Sequence, residues 1–310
     1  MNIGQLINQI ILMFCLMLIG VLINKLEFMH SQTSSDLTNV LLYIVSPCLI
    51  INAFEQQYSS SRIKQFLLAV VGVFLLYIVE IIIARFIFGR LKNQNLRRIT
   101  QYGSIYSNAG FMGIPLTSSL FGSEGVFFAV VSLAAFNIFS WTQGVSLFKD
   151  NNNGTVEKTD WRQVILNPNI IAIFLGIIFF MFAIKIPSIP NQVIKYVGSI
   201  NTPLSMIVIG NSLANIKFSR NMLNKEIGLT ILLRNLIFPI IGIVLLKLLG
   251  VNGIAFYTTI VMAACPVAGL VVLFTLQVDG DTAPAISLMS LSTILSLITI
   301  PVVFALGSVL

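Results

Sequence analysis

Charged side chains are what this chain most lacks. Asp and Glu number 11, Lys and Arg 18, and together they make 9 % of 310 residues, where a soluble domain carries about 25 %. With 56 % hydrophobic residues and a mean hydropathy of +0.94, no water-facing surface of a globular protein can be assembled from it. Histidine occurs once, at His30, and the three cysteines, Cys15, Cys48 and Cys265, all fall inside apolar runs. That excludes a CxxC zinc site and a disulfide framework, and no metal or cofactor is expected. No His-Glu-x-x-His, phosphate-binding loop or Ser-His-Asp set is present, so an enzyme is not expected either. The formal net charge of +7 is spread over short loops between apolar runs and forms no basic face for nucleic acid.

What the chain has instead is a series of apolar runs. They predict an all-α integral membrane protein with ten spans, near 4–23, 36–54, 65–88, 99–120, 124–148, 164–184, 192–213, 227–249, 253–276 and 282–308. The first run is followed by Asn24-Lys25 rather than a small-residue cleavage site, so it reads as a retained helix and not a signal peptide. One set of loops carries Lys25, Arg90, Lys92, Arg97, Arg98, Lys149, Lys158, Arg162, Lys217, Arg220 and Lys225. The opposite set carries only Arg62, Lys64, Lys185, Lys195 and Lys247. Lys and Arg accumulate on the cytoplasmic side, which predicts a cell-membrane protein with both termini extracytoplasmic.

The polar stretch 149–162 divides the chain into two sets of five spans, 1–148 and 163–310. A shift of 156 or 157 positions sets Gly20 on Gly176, Ser46-Pro47 on Thr202-Pro203, Asn108 on Cys265 and Glu124 on Asp281. With five spans per copy, the second must enter the membrane from the opposite side, so the expected architecture is two inverted repeats, as in many transporters.

The fourth span contains Asn108, Gly110, Gly113 and Pro115, and the ninth contains Cys265, Pro266 and Gly269. Proline removes a donor, and glycine tolerates unusual backbone angles. Both spans are therefore expected to be broken at membrane depth, where the freed peptide groups need protein or a polar cavity around them. Paired breaks in corresponding spans point to a binding site whose half-helix N-termini suit an anion. Ser46, Asn137, Thr202 and Ser205 are further polar groups in apolar surroundings, and they either line that site or bond within and between helices. Arg234 and Glu80 are intramembrane charges; Arg234 either holds a substrate carboxylate, pairs with Glu80, or anchors a helix end. Glu124 and Asp281 are expected to cap helix N-termini.

The run 108–115, Asn-Ala-Gly-Phe-Met-Gly-Ile-Pro, inside a chain of five plus five spans, resembles the auxin efflux carrier family and its bacterial malate and malonate permease-like members. The resemblance covers essentially the whole chain. It implies an elevator transporter in which spans 1, 2, 6 and 7 form a scaffold that dimerises into a homodimer, while spans 3–5 and 8–10 form the moving transport domain. Plant members carry a long central loop where this chain has only 149–162, which favours a malate- or malonate-like carboxylate over an auxin-like acid as cargo. Two rivals remain: a sodium-coupled bile-acid-type symporter of related fold, which would need acidic ligands inside the spans, and an intramembrane enzyme.

Overall fold

The computed structural model describes residues 3–148, 165–214 and 224–310. The 149–162 connection, and with it Lys149, Lys158 and Arg162, lies outside the described residues, as do Lys217 and Arg220. Among the described residues the chain forms helices joined by short loops, with no strand beyond an isolated antiparallel bridge between Ser107 and Val267. Seven helices among the described residues are long and apolar enough to cross a membrane.

The helices follow the apolar runs. α1 is Ile3–Lys25, α2 Gln32–Ala53, α3 Ser60–Phe88 and α4 Gln94–Ile105. The stretch Ala109–Phe148 is 40 residues long, which as a straight helix would measure about 60 Å, roughly twice the hydrocarbon thickness. It turns instead at Gly122, whose φ of 61° and ψ of −150° suit only a residue without a Cβ. Its two arms are α5 (109–121) and α6 (123–148). There follow α7 Pro168–Met181, α8 Ser188–Ala214, α9 Lys225–Leu248, α10 Gly253–Ala263, α11 Leu270–Gln277 and α12 Ala283–Val309.

The loops gather at two ends. At one, Arg62 pairs with Glu124 at 3.6 Å and Lys195 with Glu55 at 3.5 Å, Gln56 donates to Ser123 at 2.8 Å, and Gln65 accepts from the Asn252 N–H at 2.9 Å. At the other, the Asn95 side chain donates to the Asp281 carbonyl at 2.9 Å. Asp281 caps α12 by accepting the Ala283 N–H at 3.0 Å, whereas Glu124 is taken up by Arg62.

α1 and α8 approach to backbone contact. A Cβ on Gly210 would lie 1.9 Å from the Met17 carbonyl oxygen, and one on Gly20 would lie 2.2 Å from that of Ile207. Small residues allow this closeness, and in lipid such van der Waals contact is what holds helices together. Large apolar side chains face outward along α1, α3 and α7, among them Leu18, Ile82 and Phe174, as a lipid-facing surface requires. Several buried polar residues, among them Ser104, Ser107, Thr117 and Thr259, lie on the two interrupted helices.

Candidate functional site at the helix crossing

The chain between α4 and α5 meets the chain between α10 and α11 in antiparallel register. The Asn108 N–H donates to the Pro266 carbonyl at 2.7 Å, and the Ala268 N–H donates to the Tyr106 carbonyl at 2.9 Å. Each break thus supplies hydrogen bonds that the other has lost, which is how irregular backbone survives where water is scarce.

Arg234 and Asn235, neighbours on a π-helical turn of α9, hold this crossing from below. Arg234 is 1 % exposed. Its Nη1 donates to the carbonyls of Ser104 at 3.2 Å and Ile105 at 2.5 Å, at the C-terminal end of α4. Nη2 donates to the Ala263 carbonyl, at the C-terminal end of α10. Nη1 also lies 3.4 Å from Oε1 of Glu80, which is 2 % exposed. The guanidinium therefore sits where the partial negative charges of two helix C-termini converge. Asn235 accepts from Ser292 Oγ at 2.7 Å, and Ser292 Oγ in turn accepts the Val267 N–H at 3.0 Å.

Beside the crossing is a cavity of about 150 Å³ lined by Thr38, Asn108, Phe111, Val208, Ile209, Ser212, Leu213, Gly269, Met289 and Thr293. It lies between α2 and α8 on one side and the two breaks and α12 on the other. Asn108 caps the second half-helix, its Oδ1 accepting the Phe111 N–H at 3.3 Å, while none of the described residues accepts from its Nδ2. Gly269 is the residue before α11, so the start of that half-helix also opens onto the cavity.

Of the residues singled out in the sequence, Asn108 and Gly269 share this cavity. Gly110, two residues after Asn108, is half-buried, and a Cβ there would lie 3.7 Å from Leu133 Cδ1. Gly113 lets α5 pack on α10: a Cβ there would lie 2.6 Å from Met262 Sδ and 3.4 Å from Cys265 Sγ. Cys265 is buried and donates to the Val261 carbonyl at 3.3 Å. Pro266 supplies the carbonyl that Asn108 uses, and Pro115 supplies one that lies 3.4 Å from Thr202 Oγ1. Ser46 accepts from Asn201 Nδ2 at 2.9 Å, joining α2 to α8. Asn137 donates to the Leu133 carbonyl at 2.9 Å and accepts from Asn167 at 3.1 Å, joining α6 to the start of α7. Ser205 is buried in α8, and Arg234 and Glu80 face each other behind the crossing. Sequence reasoning passed over Thr38, Ser212 and Thr293. For Thr293 a signal existed: Ser287, Ser290, Thr293 and Ser296 recur at helical spacing in an otherwise apolar span, and all are buried.

The profile of the family described as "Membrane transport protein" matches residues 5–157 and 154–304. An uncharacterized transporter of Methanocaldococcus jannaschii is 24 % identical over 304 residues, covering 94 % of this chain and 96 % of the relative. An uncharacterized transporter of Methanothermobacter thermautotrophicus is 29 % identical over 194 residues, 63 % of each chain, so the match spans less than two thirds of that relative's length.

Proposed function

The chain belongs to the membrane transport protein family, the auxin efflux carrier group that residues 108–115 resemble, and from that premise we propose that it is a secondary carrier for a small organic anion, a malate- or malonate-like carboxylate ahead of an auxin-like acid. The observation that carries this reading is the cavity at the helix crossing. Asn108 presents an amide with unspent donors there, beside the start of α11, and the walls are otherwise apolar or neutral. Half-helix N-termini and a neutral donor favour a carboxylate over a cation.

The proposed architecture has ten spans in two inverted sets of five. Three features support it. The stretch Ala109–Phe148 is too long for one crossing and turns at Gly122. α4 with α5, and α10 with α11, each read as one interrupted span. The polar contacts join loops 55–65, 123–124, 191–195 and 250–252 at one end. In this arrangement α1, α2, α7 and α8 form the scaffold and the remaining helices form the transport domain. The cavity lies on their boundary, where an elevator movement would carry it across the bilayer. A homodimer through the scaffold, residence in the cell membrane and extracytoplasmic termini belong to the same proposal.

The family and its relatives are transporters, which weighs against an intramembrane enzyme. The bile-acid-type rival would need clustered acidic ligands. Among the described residues no group of three or more His, Cys, Asp or Glu is placed to hold a metal ion, and the intramembrane carboxylate of Glu80 already faces Arg234. The test is uptake of labelled malate, malonate and indole-3-acetate into proteoliposomes. Saturable uptake of one of these acids supports the proposal, and uptake confined to cations or neutral solutes contradicts it.

A further inference from the structure

The geometry behind the crossing bears on what drives the cycle. In carriers with broken helices, the half-helix C-termini and unwound carbonyls are where a coupling cation binds. Here those carbonyls, from Ser104, Ile105 and Ala263, together with the Glu80 carboxylate, surround a cation that belongs to the chain itself, the guanidinium of Arg234. We infer that this is a monovalent-cation site permanently filled by Arg234, a tethered substitute for a dissociable ion.

The chemistry of the donor set supports the assignment. Three carbonyl oxygens and one carboxylate oxygen, from three helices α3, α4 and α10, face the one guanidinium, three of them at Nη1 and the Ala263 carbonyl at Nη2. An all-oxygen set of this kind suits a hard cation or a guanidinium, and repels an anion. The helix C-termini add partial negative charge from two directions. Both charged partners are at most 2 % exposed, so the pair is shielded from screening by salt. Bound sodium would have to dissociate at one face in each cycle, whereas Arg234 cannot leave and is not deprotonated in proteins. The crossing is therefore locked in both membrane-facing states, and its integrity does not depend on the sodium gradient. The site itself stands on the geometry alone; only its consequence for coupling rests on the carrier reading.

Replacing Arg234 with Ala removes the tethered ion and leaves room at the carbonyls, so the site becomes open to a free cation. The experiment is thermal unfolding of the purified protein in detergent, in sodium, potassium or millimolar guanidinium chloride against choline chloride at equal ionic strength. Wild type is expected to melt at one temperature in all four. Arg234→Ala is expected to melt lower in choline and to recover saturably, by about 3 °C or more, with at least one of the small cations. Arg234→Met, whose side chain fills the space without charge, should show no recovery. A folded Arg234→Ala protein indifferent to every cation would overturn the inference, and so would a wild-type protein that gains equally from sodium. If Arg234→Ala does not survive purification, Arg234→Lys against Arg234→Met decides. Lys restores a positive charge at the same carbonyls and must melt above Met, and equal melting would overturn the inference. None of these readings requires uptake, so a failed search for cargo leaves them intact.

Discussion

Asn108 does two jobs that can be separated by substitution. Its oxygen caps α5 at the Phe111 N–H, and the residue lines the cavity with no described residue accepting from its amide nitrogen. Asn108→Ala is expected to lose the cap, worth about 1 kcal/mol, and to abolish uptake while leaving expression and dispersity near normal. Asn108→Ser would keep a capping oxygen but present a different donor; it is expected to restore the melting temperature without restoring uptake. Recovery of both in Asn108→Ser would mean that the residue acts only on the backbone. Glu80→Leu leaves the Arg234 guanidinium buried without its counter-charge, so a loss of about 3–5 kcal/mol is expected, read as a fall in melting temperature. Asn108 was legible because an amide in a glycine-rich apolar run has few structural reasons to be there. The part played by Arg234 was not. Its acceptors Ser104 and Ile105 are 130 and 129 positions away, and anchoring a helix end was as plain a role for a lone cation in an apolar span as pairing or substrate contact together.

The helices obey simple rules except where two of them stop halfway. Apolar length located the seven helices that, among the described residues, are long and apolar enough to cross a membrane, because a membrane helix must bond its own backbone. Gly/Pro content located the two interruptions. Periodicity could not show that the interruptions bond to each other, since the partners are Asn108 with Pro266 and Tyr106 with Ala268 and nothing local marks such a pairing. Nor could it separate close-packing glycines from site glycines. Gly113 lies against Met262 and Gly269 opens onto the cavity, yet both read alike in sequence. Gly113→Val should therefore destabilise the crossing by forcing α5 off α10, and Gly210→Val should separate α8 from α1. Gly122→Ala meets no neighbour within 4 Å, so its cost is only backbone strain, about 1–3 kcal/mol. A melting temperature unchanged in Gly122→Ala would contradict the turn described there.

At the scale of the whole molecule, the cavity joins two groups of helices that the elevator proposal requires to slide past each other. Thr38 on α2 and Thr293 on α12 line it from opposite sides. With Cys15, Cys48 and Cys265 replaced by Ala, the pair Thr38→Cys and Thr293→Cys, bridged by a short reversible thiol reagent, should arrest uptake, and reduction should restore it. Full uptake after complete bridging would rule out sliding along this boundary.

Whether the crossing cavity binds and carries a small carboxylate is read out by one panel of uptake assays. Labelled malate, malonate and indole-3-acetate are offered to proteoliposomes holding wild type or Asn108→Ala, under imposed proton, sodium and potential gradients. Wild type is expected to show saturable uptake of one carboxylate, lost in Asn108→Ala, with no requirement for sodium. Equal uptake by the two proteins, or no carboxylate uptake under any gradient, would contradict carriage by this cavity.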